Sequence, residues 1–135
     1  MSDRPQRGLL DTSVLIAEEN ERRLHRERLP QTAAISIVTK AELRLGVLAA
    51  ADVETRDRRL TTLDSIAEMT VLPIWGAVER VWAGMRAYLA ASGRSVRVND
   101  LWIAATAVAY DMPVITQDRD FYALSGVNGL TVIEV

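Results

Sequence analysis

The chain of 135 residues has no cysteine and a single histidine, His25. The first absence excludes disulfides, thiolate metal sites and a cysteine nucleophile. The second excludes a ribonuclease mechanism built on two imidazoles. A serine hydrolase would have to take its base from the same histidine, and no nucleophile-elbow pattern is present. His25 itself lies in the charged run Glu21 to Arg28, where a solvated surface is the simpler reading. No Gly-rich phosphate loop occurs, which argues against a nucleoside triphosphate cofactor. Long hydrophobic runs are lacking too. Stretches such as Leu101 to Val108 fall well short of a bilayer span, and the N-terminus has no signal-like apolar region. A soluble, cytoplasmic protein without a membrane partner is expected. A dominant charge sign is also lacking, with 16 Lys and Arg against 18 Asp and Glu, a net charge of −2. No global positive field draws in a polyanion, so nucleic acid would have to be held by local patches.

What is present is 49% hydrophobic and 25% charged residues, the balance of a globular domain. The length suits one core, so a single domain over residues 1–135 is expected. Lys40 is the only lysine. Arginine suits phosphate through its planar fork, although genome base composition produces the same bias.

Hydrophobic patterning alternates strands with helices. Gly8 to Leu10 reads as a short buried strand ending at Asp11, and Thr12-Ser13 opens a helix through Val14 to Ala17. Ala33 to Ser36 is a second strand. A helix from about Val38 to Ala51 follows, with Ala41, Leu45 and Leu48 expected on its apolar side and Glu42 in its first turns. A polar, arginine-rich helix from about Val53 to Glu68 and a strand at Thr70 to Leu72 come next. Trp75 to Ala91 reads as an amphipathic helix ending near Gly93. Asn99-Asp100 precedes an almost wholly apolar helix, Leu101 to Tyr110. Strands at Pro113 to Thr116 and Thr131 to Val135 complete the pattern. The fold class expected is α/β, a central parallel sheet with helices on both faces. Trp75, Trp82 and Trp102 sit in apolar helical contexts and read as core or interface rather than as base-stacking platforms.

In such sheets ligands bind outside the carboxyl ends of the strands. Four acids map to that edge. Asp11 ends the first strand, Glu42 lies early in the helix after the second, Asp100 opens a helix leading into a strand, and Asp118 follows the strand Val114 to Thr116. Each has a bland reading. Asp11 and Asp100 serve equally as helix N-caps, Glu42 as a solvated helix residue, and Asp118 with Asp120 as an Asx turn. Together they are harder to dismiss, because several carboxylates in one cleft repel one another unless a cation joins them. All-oxygen ligands select hard ions such as Mg²⁺ or Mn²⁺, and such ions activate water and neutralise charge on phosphate. Metal-assisted phosphodiester hydrolysis is the inferred chemistry.

The runs Leu10-Asp11-Thr12-Ser13-Val14-Leu15-Ile16, Ser36-Ile37-Val38-Thr39-Lys40-Ala41-Glu42-Leu43, Asn99-Asp100-Leu101-Trp102-Ile103-Ala104-Ala105-Thr106-Ala107 and Thr116-Gln117-Asp118-Arg119-Asp120-Phe121 are similar, in order and over nearly the whole chain, to the successive motifs of VapC-type PIN domains. The resemblance implies an acidic quartet of Asp11, Glu42, Asp100 and Asp118, with Asp11, Asp100 and Asp118 as metal ligands. It implies hydrogen-bonding supports at Thr12, Ser13, Asn99 and Thr116, and an assisting or turn-capping role for Asp120. It further implies an endoribonuclease toxin acting on structured RNA such as transfer or ribosomal RNA. The partners implied are a VapB-like antitoxin seated in the active-site groove and a second toxin protomer, giving a homodimer within a toxin–antitoxin hetero-oligomer. Arg22, Arg23, Arg26 and Arg28, or Arg94 and Arg97, are candidates for gripping RNA phosphates or antitoxin carboxylates.

Rival readings meet specific obstacles. A receiver-like phosphoacceptor needs a lysine at a late strand end, and Lys40 lies in the second motif. A haloacid-dehalogenase-type phosphatase needs an acid two residues after its nucleophile, and position 13 is serine. A PIN-like module that binds RNA or protein without cutting has no need of four intact acids.

Overall fold

Near-continuous apolar strands require cover on both faces, and the computed structural model, which describes residues 4–135, supplies it. The first three residues of the expected 1–135 domain lie outside the described residues. The strands are β1 (Arg7–Leu10), β2 (Thr32–Ser36), β3 (Thr70–Leu72), β4 (Val114–Thr116) and β5 (Val132–Glu134). All pair in parallel, in the order β3-β2-β1-β4-β5. The helices are α1 (Thr12–Glu19), α2 (Ile37–Leu48), α3 (Val53–Ser65), α4 (Gly76–Ser92) and α5 (Val98–Ala109). Alternation along the inner strands sends Leu9, Ala34 and Val114 into one core with Val78, Met85, Leu89 and Leu101. It sends Leu10, Ile35 and Ile115 into the other, with Val14, Leu15, Leu43 and Ile66. Thus α4 and α5 cover one face, and α1, α2 and α3 the other.

From β1 the chain winds outward to β2 on one side, while β4 and β5 build the other. The crevice at the carboxyl ends of β1 and β4 is therefore a topological switch point, where this class of sheet places its ligands. The backbone N–H of Asp11 donates to the Ile115 carbonyl at 2.8 Å, so Asp11 emerges there beside the end of β4. The strands approach closely at Gly8, where a Cβ would stand 2.8 Å from Ile115 Cγ1.

Among the described residues, side-chain capping sets three of the five α-helix N-termini. Asp11 accepts from Ser13 N, Ser36 from Val38 N and Asp52 from Thr55 N. Gly93, in the left-handed region at φ 69°, ends α4 near the expected place.

Two expectations are corrected. On α2 the inward residues are Thr39, Leu43 and Val47, whereas Leu45 is 64% and Leu48 73% exposed and Ala41 also faces outward. Thr39 can turn inward because its hydroxyl lies 3.0 Å from that of Thr12, and residues four apart then share its face. On α5 the helix begins at Val98, so Asp100 stands in its first turn and the cap position is taken by Arg97, without a side-chain capping bond. Asp100 is therefore not an N-cap.

Of the tryptophans, Trp82 and Trp102 stack at 4.8 Å between centroids and pack against the core. Trp75 is about half exposed, edge-on to Tyr110. Beyond β4, short 3-10 turns at Arg119–Leu124 and Val127–Gly129 bury Phe121 and Leu124. No helix among the described residues is long and apolar enough to cross a membrane.

Candidate active site

Four short segments deliver the acids to the switch point. Asp11 leaves β1 directly and is buried, 2% exposed. Its Oδ2 accepts from Thr116 Oγ1 at 2.9 Å and from Ser13 N at 3.3 Å. These bonds favour the ionised form. Burial outweighs them and raises the Asp11 carboxyl above the ordinary aspartate range.

The hydroxyls around Asp11 form a chain. Gln117 N donates to Ser13 Oγ at 3.0 Å, Ser13 Oγ lies 3.2 Å from Thr116 Oγ1, and Asp118 N donates to Thr116 Oγ1 at 2.9 Å. Thr116 has one proton, and it goes to Asp11; Ser13 must then donate to Thr116. Every hydroxyl is thereby committed.

Asp100, in the first turn of α5, is 3% exposed. Burial, and next the negative charge of Asp11, push its carboxyl up to about 6, and the nearby Arg97 only partly counters them. A buried acid raised by desolvation and by another carboxylate is a recurring mark of a functional cleft.

Asp118, at the end of β4, divides its two oxygens. Oδ1 accepts from Asp120 N at 2.9 Å, the expected Asx turn, while Oδ2 accepts from Arg97 Nη2 at 3.1 Å. The turn reading and the site reading both hold, one on each oxygen. Glu42 projects from α2, with Oε1 2.8 Å from Thr12 Oγ1. A cleft of about 250 Å³ is lined by Glu42, Arg97, Val98, Asn99 and Asp100. A larger cavity of about 500 Å³ beside Leu15, Asp57 and Thr61 includes none of the four acids.

Three expected supports, Thr12, Ser13 and Thr116, contact the acids directly. Asn99 lines the cleft but is exposed, and among the described residues its side chain makes no hydrogen bond. Asp120 is exposed and contributes its backbone to the turn. His25 stays on the surface beside Glu27. Arg26 pairs with Glu18, and Arg28 donates to the Glu134 carbonyl. Arg97 is the arginine that enters the site, and the carboxylates it grips are this chain's own. Thr39 was not singled out by the motifs as a support; its position one turn before Glu42 on α2 was the available signal.

Among the described residues no three of the acids stand close enough to form a ready-made ion cage. Glu42 is turned toward Thr12, and the Arg97 guanidinium lies between Asp100 and Asp118. The donors are nonetheless all oxygen, the set that suits a hard divalent ion.

The family model described as PIN domain matches residues 8–127. The chain is 52% identical over 135 residues to Ribonuclease VapC5 of Mycobacterium tuberculosis, covering all of both sequences. It is 40% identical over 127 residues to Ribonuclease VapC4 of the same organism, covering 94% of this chain and 98% of that one. Its structure superposes with a TM-score of 0.91, at 50% identity, on a crystal structure of the Mycobacterium tuberculosis toxin–antitoxin family member VapBC-5, covering 97% of this chain and 100% of the other. With its motifs in order on a parallel sheet whose switch point gathers the acids, the chain belongs to the PIN-domain family and, within it, to the VapC group.

Proposed function

We propose that this chain is a divalent-metal-dependent endoribonuclease, the toxin of a type II toxin–antitoxin pair, folded as one PIN domain. The observation that carries the reading is the pair of buried carboxylates, Asp11 and Asp100, held at the switch point with Asp118 and Glu42 at its rim. Two relatives bear the name ribonuclease, and the matched structure is of a toxin–antitoxin complex.

The residues fit a hard divalent ion on two counts. Asp100 is a desolvated acid that lacks enough positive charge nearby, and a guanidinium already stands between Asp100 and Asp118 as a cation of this chain's own. Asp11, Asp100 and Asp118 would hold Mg²⁺ or Mn²⁺. Bound there, the ion would supply Lewis acidity toward phosphate oxygen and lower the pKa of water.

The chain's own groups do the rest. Thr116 and Ser13 fix the rotamer of Asp11, as carboxylate sites require. Thr12 holds Glu42 Oε1, leaving Oε2 to accept a proton from the attacking water. The water oxygen bonds to phosphorus as it gives up that proton, the bond from phosphorus to O3′ breaks, and O3′ takes a proton from solvent, so that the products carry 5′-phosphate and 3′-hydroxyl ends. The substrate class proposed is structured RNA such as transfer or ribosomal RNA. The partners proposed are a VapB-like antitoxin and a second copy of the toxin, in the cytoplasm.

The test is RNA cleavage with Mg²⁺ or Mn²⁺ against chelator, with end-group analysis, for the wild type and Asp100→Asn. Asparagine keeps the volume and can still accept from Arg97, so the circular dichroism spectrum should be retained while most cleavage is lost. Undiminished cleavage in chelator, or cyclic phosphate ends, would overturn the reading.

A further inference from the structure

Arg97 is unusual among the arginines in where it spends its donors. Its Nε lies 3.1 Å from Asp100 Oδ2, and its Nη2 lies 3.1 Å from Asp118 Oδ2. One guanidinium thus joins the first turn of α5 to the end of β4, across 21 positions of sequence. Its side chain is nevertheless 72% exposed, whereas that of Asp100 is 5% exposed. The carboxylates are fixed by the fold, and the cation reaches them from the solvent side of the cleft. Arg97 holds the cap position of α5 through its backbone alone, with no side-chain capping bond, so the helix does not depend on where its side chain lies.

We propose that Arg97 is a displaceable counter-cation of the acidic site: it bridges Asp100 and Asp118 until a divalent ion takes those oxygens, and it must swing out into solvent when the ion binds. This rests on the metal-dependent reading above. A divalent ion on the same Oδ2 atoms would set a second cation directly beside the guanidinium, and their repulsion drives the weaker-held, exposed partner out of the cleft. The exchange is feasible because the Arg97 end of both pairs is 72% exposed and regains water as it leaves, while the incoming ion takes over the charge of the buried Asp100. Arg97 is in this sense a positioning residue. It offsets the repulsion between the two carboxylates in the absence of metal and raises the ion concentration needed to fill the site. Removing it should therefore tighten metal binding, the opposite of what loss of a supporting residue does.

The experiment measures Mn²⁺ binding to the intact protein from the electron paramagnetic resonance signal of unbound Mn²⁺, for the wild type, Arg97→Gln and Arg97→Lys. Arg97→Gln should bind roughly fivefold more tightly, the effect of losing a competing cation whose own side chain is mostly in solvent. Arg97→Lys, which keeps the charge but cannot reach both acids in one plane, should fall between. In parallel, the Arg97 Nε–H resonance of the ¹⁵N-labelled wild type should be protected without metal and should lose that protection as Mg²⁺ is added. Equal or weaker Mn²⁺ binding by Arg97→Gln, or an Arg97 resonance unmoved by Mg²⁺ that demonstrably binds, overturns the displacement and leaves the metal-dependent reading standing. Absence of Mn²⁺ binding in all three proteins overturns both. The resonance readout uses only the wild type, so it decides the matter even if a variant fails to fold.

Discussion

Thr116 donates its hydroxyl proton to Asp11 Oδ2 at 2.9 Å, fastening the end of β4 to the end of β1 between two fully or almost fully buried side chains. The same Thr116 oxygen accepts from Asp118 N, so one hydroxyl orients two of the four acids. Thr116→Val keeps shape and β-branching but removes donor and acceptor together. A buried charged acceptor and a backbone N–H would each lose a partner. The expected cost is about 2 kcal/mol near neutral pH, in line with bonds to charged groups. Urea unfolding at pH 7 measures it. A change below about 0.5 kcal/mol would mean that Asp11 does not rely on Thr116.

Asp100 gives the metal-free protein a pH dependence of definite sign. Its carboxyl stands at about 6 in the folded state against 3.8 as the ordinary value. Between those pH values the folded state holds more protons than the unfolded, so stability falls as pH rises through the window and the loss is complete above about 6. Asp11 shifts in the same direction. The Asp100 contribution is at most roughly 3 kcal/mol. Unfolding in chelator at pH 5 and pH 7.5 should show the wild type losing stability relative to Asp100→Asn as pH rises. A constant difference between the two proteins would refute the shift.

The sequence made the strands and their acids legible for a simple reason. β1 and β4 are short apolar runs that end abruptly in Asp11 and, after Gln117, Asp118, and a parallel sheet brings such ends to one edge. What escaped the pattern was decided by tertiary partners. Thr39 is polar, so hydrophobicity gives no reason to place it inside, yet it lies there because Thr12 is present to meet it. Asp100 had the look of a cap residue because a helix boundary is blurred by a residue or two, and the true start at Val98 moved it into the first turn. Arg97 could be nominated as a basic group but not assigned to Asp118, since that contact depends on α5 and β4 being neighbours.

The corrected face of α2 has a stability consequence. Leu43 is 4% exposed and Leu48 73% exposed, although both are leucines on one helix. Leu43→Ala should cost about 2–4 kcal/mol through lost burial and the cavity left behind. Leu48→Gln should stay within about 0.5 kcal/mol, as surface substitutions do. Denaturant midpoints of the two variants check the assignment, and the reverse order would restore the face expected from hydrophobicity alone.

Asp11→Asn separates a charged site from a cap most sharply, and the geometry says how. Both bonds that Asp11 accepts from Thr116 and Ser13 fall on Oδ2. An asparagine whose amide oxygen replaces Oδ2 would keep both bonds and place its NH₂ where Oδ1 stood. The variant loses the negative charge that helps to raise Asp100, together with the desolvation cost of an ionised group that is 2% exposed. In chelator at pH 7 it should therefore be more stable than the wild type by about 1 kcal/mol, as when a strained functional site is relaxed. Millimolar Mg²⁺ should reverse the order, because an ion bound only by the folded state stabilises by mass action, and the variant has lost a ligand. If Asp11 merely capped α1, asparagine would cap about as well, and neither the substitution nor the metal would move the melting temperature appreciably. Thermal melts of both proteins in chelator and in Mg²⁺ read the two predictions at once, without any RNA. A variant no more stable than the wild type in chelator, with both proteins responding equally to Mg²⁺, would leave Asp11 as a helix cap.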